Sequence, residues 1–168
     1  HTVLSVDIYE VRHNPYEKEI LAVDTLQPND VLIGGTNCST QTALWGELLS
    51  TASRARGARG AVIDGYTRDV VRIAEMRFPV FATGTRPLDS MGRSLVLEVG
   101  RPVKCGDVLV HEGDIVMADI DGVIVIPREI EEKAIDMAFE KAGAEDTVRN
   151  ELLKGALLGD VYRKYGVL

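Results

Sequence analysis

Ala61-Val62-Ile63-Asp64-Gly65-Tyr66-Thr67-Arg68-Asp69 is an apolar run that ends in charge. Ala61–Ile63 reads as a buried strand closed by Asp64. Arg68-Asp69 then fall on the turn out of it, where open α/β sheets place their chemistry. About one helix upstream lies Gly46-Glu47-Leu48-Leu49, where a helix begins or kinks. The first turn of such a helix offers unpaired N–H groups, notably those of Leu48 and Leu49, which suit a small anion. A carboxylate, a guanidinium and a row of backbone donors can therefore converge on one pocket. Each piece also has a plain structural reading. A first-turn glutamate suits the helix dipole, and an Arg-Asp pair is common on solvated helix faces.

Outward from this centre the chain alternates strand and helix. Toward the N-terminus, Thr2–Val6 alternates and is β-branched, Tyr16–Leu26 has helical spacing stopped by Pro28-Asn29-Asp30, and Val31-Leu32-Ile33 reads as a buried strand leading to Gly34-Gly35. No Gly-x-Gly-x-x-Gly pattern follows that pair, which argues against a dinucleotide site. Ser39 or Thr40 can cap a helix carrying Ala43, Leu44 and Trp45 and running through Gly46 to Arg56-Gly57. On the other side a helix is expected from Thr67 to Met76, then the strand Pro79–Ala82 and a loop from Thr83 to Gly92, either a lid or a connection. This βαβ alternation predicts parallel pairing with right-handed crossovers.

From Ser94 the pattern shortens to strands at Leu95–Val99, Val108–Val110, Ile115–Ala118 and Val123–Ile126, separated by turns at Gly106-Asp107, Gly113-Asp114 and Asp121-Gly122. Asp119 and Asp121 suit turn chemistry better than metal ligation. His111 is expected to face solvent in a turn. Pro127 opens a helical section whose apolar stripe Ile130, Ala134, Met137 and Ala138 is expected to break at Gly143, with a second helix from Glu145 to Lys154. Arg54, Arg56 and Arg59 read as cations near a helix C-terminus.

The balance of 45% hydrophobic and 27% charged residues is that of a folded chain rather than a disordered one. A net charge of −7 argues against a nucleic-acid partner, which needs a basic face. No apolar run approaches the ~20 residues of a membrane span. Cys38 and Cys105 lack metal-ligand spacing, so reduced thiols and a cytoplasmic location are the default. The chain starts at His1 without methionine, so a further N-terminal segment is expected upstream.

Gly46-Glu47, twenty residues, then Arg68-Asp69, flanked by Ala61-Val62-Ile63-Asp64-Gly65, resembles the family of the regulator of ribonuclease activity A and the 4-hydroxy-4-methyl-2-oxoglutarate aldolases. The likeness runs from about Val31 to Leu168. It implies an α/β fold of the swivelling β/β/α type, with a central sheet, flanking helices and a helical C-terminal tail. It further implies a single domain over 1–168, with about 127–168 packing on a neighbouring subunit of a homotrimer or a hexamer made of two trimers. By the same resemblance Asp69 is the ligand of Mg²⁺, Mn²⁺ or another divalent cation. Arg68 holds the keto oxygen or carboxylate, and the amides of Leu48 and Leu49, after Gly46, take the substrate carboxylate. Glu47 orients a water that shuttles the proton, and Glu145 of an adjacent subunit reaches the metal waters.

The implied activity is class II pyruvate aldol cleavage of a 4-hydroxy-2-keto dicarboxylate, with oxaloacetate decarboxylation through the same enolate. The absence of lysine from Gly46–Asp69 favours a metal over a Schiff base. The alternative is a binding protein like the regulator, which inhibits ribonuclease E by contact and, in its pattern, lacks the aspartate after the arginine. Some relatives carry a demethylmenaquinone methyltransferase label, but no S-adenosylmethionine loop is present here.

Overall fold

The computed structural model describes residues 1–167 and divides the chain into two compact units, His1–Val125 and Ile126–Leu168. In the first unit, β1 (Thr2–Asp7), β2 (Val31–Gly35), β4 (Gly60–Thr67) and β5 (Val80–Thr85) pair in parallel, and β6 (Ser94–Val99) adds antiparallel to β1. The short β3 (Ala43–Trp45) pairs in parallel with the last residues of β4. Helices α1 (Glu17–Asp24), α2 (Glu47–Ala55) and α3 (Val70–Glu75) make the connections. This is the parallel alternation the hydrophobic runs predict, because a strand buried on both faces needs a nearly continuous apolar sequence. β4 is such a strand, with Ala61, Ile63 and Asp64 all buried.

One face of the sheet packs Val23, Leu26, Leu32, Trp45, Ile63, Ile73 and Phe78 against the helices. Ile33, on the other face, packs with Val103 and Val110 of β7 (Val103–Cys105) and β8 (Val108–Val110). That pair turns at Gly106, whose φ of +56 favours a residue without Cβ. Gly35 is a packing glycine, since a Cβ there would fall 2.6 Å from the Lys104 carbonyl oxygen. β9 (Ile115–Ala118) and β10 (Val123–Ile126) pair across a turn in which Asp119 Oδ1 accepts from the Asp121 and Gly122 N–H groups. His111 is exposed, as its turn position suggests.

The second unit is two helices, α4 (Glu131–Leu153) after a 3₁₀ turn at Arg128–Ile130, and α5 (Leu158–Tyr165). Val148 and Val161 are its buried apolar residues. No helix among the described residues is long and apolar enough to cross a membrane.

Five departures from the sequence reading stand out. Ala43, Leu44 and Trp45 are strand, not helix: all three are buried beside the end of β4, and burial on both sides overrides helical spacing. Thr67 ends β4 rather than starting a helix, and Asp69 precedes a much shorter α3. The loop expected from Thr83 gives its first three residues to β5, and the strand Val103–Cys105 was not anticipated. Gly143 does not break α4, because one mid-helix glycine costs only ~1 kcal/mol, which a 23-residue helix tolerates.

Candidate functional site

The carboxyl ends of β3, β4 and β5 meet at one point. The Trp45 carbonyl accepts from the Arg68 N–H at 2.9 Å and the Thr67 hydroxyl at 3.1 Å, and the Thr67 carbonyl accepts from the Arg86 N–H at 3.0 Å. Buried Trp45 sets the entry to α2: its indole N–H donates to Ser50 Oγ at 2.8 Å, and that hydroxyl donates to the Gly46 carbonyl at 3.0 Å. Glu47, Arg68 and Asp69 are thereby brought to the same edge.

Arg68 Nη1 donates to the Ala43 carbonyl at 2.7 Å, and its Nε lies 3.6 Å from Asp69 Oδ2. Asp69 Oδ2 also accepts the Glu47 N–H at 3.1 Å, while Oδ1 has no protein donor among the described residues. Asp69 holds φ +59 and ψ +29, the left-handed region that aspartate tolerates better than most residues. The carboxylate therefore points back across the start of α2. Beside it opens a cleft of about 190 Å³ lined by Arg68, Asp69, Val70, Thr85, Arg86 and Pro87.

The remaining expected site residues are placed differently. The N–H groups of Leu48 and Leu49 have no protein acceptor among the described residues, as a first helical turn requires. The Leu48 side chain is exposed, whereas Leu49 packs on the core. Glu47 contributes its backbone N–H to Asp69, but its carboxylate accepts from Thr51 Oγ1 at 2.7 Å, one turn along the same helix. Asp64 does not face the cleft. It is buried and accepts from the N–H groups of Thr36, Cys38 and Gly106 and from the Thr36 hydroxyl. Glu145 lies in α4, where Lys141 one turn earlier sits 3.6 Å from it.

Gly46 has an extended backbone that any residue can adopt, yet a Cβ there would fall 2.9 Å from both Arg68 Nε and Asp69 Oδ2. Gly46→Ala is expected to leave the melting transition nearly unchanged while displacing both side chains. A displacement approaching ~1 Å costs up to ~10² in rate. Comparing melts with turnover tests this, and normal turnover would mean that the Arg68–Asp69 geometry is not critical.

Behind Arg68 lies a polar group the sequence did not expose. Glu19 is buried in α1 and accepts from Ser90 Oγ at 2.8 Å, and Tyr16 donates to Asp89 Oδ2 at 2.5 Å. That hydrogen bond to Asp89 pushes the Tyr16 phenol up to about 12. Burial raises the Glu19 carboxyl, against the opposing pulls of the Ser90 hydrogen bond and the Arg68 charge. A carboxyl raised in the fold stabilises below its unfolded value, and that contribution is lost as pH rises through the folded value. Glu19→Gln is therefore expected to melt higher than the parent at neutral pH, with the gap closing in acid below the usual carboxylate range. Parallel melting curves at every pH would show that ionisation of Glu19 costs the fold nothing. Glu19 was missed because burial of a lone glutamate comes from tertiary packing, not from local pattern.

A model of the RraA-like family, described as Aldolase/RraA, matches residues 3–125. The chain belongs to this family. Among relatives of this RraA-like chain, an uncharacterized protein of Methanocaldococcus jannaschii is 40% identical over 122 residues, covering 72% of this chain and 58% of that protein. The chain thus spans less than two thirds of that relative's length. A Shewanella oneidensis protein named "Putative 4-hydroxy-4-methyl-2-oxoglutarate aldolase" is 31% identical over 142 residues, covering 82% of this chain and 77% of that one. The crystal structure of Streptomyces coelicolor RraAS2, described as an unusual member of the RNase ES inhibitor RraA protein family, superposes with a TM-score of 0.79 at 29% identity, covering 89% of this chain and 76% of that chain. The α/β fold expected from the Gly46–Asp69 signature is thus the fold found, and the RraA-like match ends at Val125, where the first structural unit ends.

Proposed function

We propose that this chain is a class II pyruvate aldolase. It would cleave 4-hydroxy-4-methyl-2-oxoglutarate or a related 4-hydroxy-2-keto dicarboxylate, and decarboxylate oxaloacetate as a second activity. The observation that carries this reading is Asp69 beside Arg68 on an open cleft, with one carboxylate oxygen free of protein donors among the described residues. Relatives named for the aldolase activity support it.

No three His, Cys, Asp or Glu side chains converge on a metal position among the described residues. The donor set is then Asp69 alone, plus water and substrate oxygens, which fits a hard divalent cation such as Mg²⁺ that keeps several waters. When bound, the cation would polarise the keto oxygen as a Lewis acid. Arg68, anchored on the Ala43 carbonyl, keeps donors free for the keto oxygen and stabilises the negative charge that develops there when the carbon–carbon bond breaks. The free Leu48 and Leu49 amides hold the substrate carboxylate at the amino end of α2. Glu47 and, from an adjacent subunit, Glu145 are proposed to handle the proton. A homotrimer or hexamer in the cytoplasm belongs to the same proposal.

The competing reading is a non-catalytic regulator, favoured by the inhibitor family to which RraAS2 is assigned. A lactate-dehydrogenase-coupled assay of pyruvate formed from oxaloacetate, with and without Mg²⁺, separates the two. Metal-dependent pyruvate is the expected result, and its absence from both this substrate and the hydroxy-keto acid would leave the regulator.

A further inference from the structure

We propose that Arg86 selects substrates with a second carboxylate by binding that distal group beside Arg68, an inference that rests on the keto-acid reading of the cleft. Thr67 and Thr85 are register partners on the parallel strands β4 and β5, and the Arg86 N–H continues the ladder by donating to the Thr67 carbonyl at 3.0 Å. Arg68 and Arg86 therefore leave neighbouring strands at the same level, with backbones ~5 Å apart. Both line the same cleft.

Their guanidiniums are tethered alike. Arg68 Nη1 donates to the Ala43 carbonyl at 2.7 Å, and Arg86 Nη1 donates to the Thr40 carbonyl at 2.5 Å. They differ in charge balance. Arg68 has Asp69 at 3.6 Å, whereas Arg86 has no carboxylate within ion-pair distance among the described residues.

A chain of net charge −7 has acids to spare, yet two arginines line this cleft with one carboxylate, Asp69, which pairs with Arg68. Such an arginine pair repels unless an anion completes it. In the proposed pose Arg68 and the amino end of α2 serve the 2-keto carboxylate end. The unbalanced fork at Arg86, with donors to spare, faces the tail of the same ligand. A planar guanidinium matches a carboxylate bidentately, so a carboxylate tail is the chemistry it recognises.

The test uses two inert ligands of equal chain length, 2-oxoglutarate and 2-oxovalerate. Neither has the 4-hydroxyl needed for aldol cleavage, and only the first carries the distal carboxylate. Titration calorimetry with Mg²⁺ present is expected to show the parent chain binding 2-oxoglutarate at least ~10-fold more tightly, the scale of one charged partner in a half-open site. Arg86→Gln is expected to bring the two dissociation constants within about twofold of each other, with Arg86→Lys between it and the parent because charge alone lacks the fork. Should melting show Arg86→Gln unfolded, Arg86→Lys carries the comparison, and a reduced preference is expected. A parent with no preference, or a folded variant keeping the parental ratio, overturns the role of Arg86 while leaving the keto-acid site in place. A parent that binds neither ligand overturns the site reading itself.

Discussion

Asp69→Ala is expected to abolish Mg²⁺-dependent pyruvate release while the chain still folds. A Lewis-acidic cation contributes several kcal/mol to the transition state, which corresponds to a loss of roughly 10³-fold or more. The fold should survive, because the Asp69 side chain is 45% exposed and its partners, the Glu47 N–H and the Arg68 guanidinium, lie at the surface edge of the sheet. Alanine does pay ~1–2 kcal/mol for the left-handed backbone at that position, a cost within the stability of an ordinary domain. Asp69→Asn separates the two effects. Asparagine accepts the left-handed backbone and can still take the Glu47 N–H, but it lacks the charge a hard cation needs. Both variants should therefore be inactive, with Asp69→Asn the more stable. Activity of the parent chain retained in excess EDTA would remove the metal from the proposed mechanism.

Arg68→Ala should lower turnover ~10²–10³-fold, the usual cost of losing one donor to a developing oxyanion. On the proposed mechanism the loss is expected mainly in kcat, since the charge Arg68 would meet grows along the reaction, whereas the helix end would contribute to ground-state binding. Arg68→Lys should recover little, because an ammonium cannot hold the Ala43 carbonyl at 2.7 Å and present a planar fork to the ligand at once. Turnover at the parental rate in Arg68→Ala would take this residue out of the chemistry.

How much of this was legible in the letters depended on whether the determining contacts were local. β4 was readable because a doubly buried strand writes itself as an apolar run, and the turn at Asp119–Gly122 because its hydrogen bonds lie within four residues. The juxtaposition of Gly46-Glu47 with Arg68-Asp69 came from a spacing resembling that of a known family, not from periodicity. Ala43–Trp45 was misassigned because its strand character comes from Tyr66 and Thr67, more than twenty residues away. Arg86 went unnoticed for a similar reason, since only the pairing of β4 with β5 sets it beside Arg68. A signal did exist: Thr67-Arg68 and Thr85-Arg86 repeat one dipeptide, each two residues after a glycine or directly following one. Glu19 offered none, because its surroundings are assembled from Ser90 and the core around α1.

Both cleft arginines are hydrogen-bonded to main-chain oxygens of one short segment, those of Thr40 and Ala43. Every amino acid supplies a carbonyl, so substitutions in that segment are expected to keep both anchors as long as its path in space is kept. An insertion or deletion of one residue there would unmoor both cations together. A change in the length of this stretch, rather than in its letters, is what would disturb the cleft.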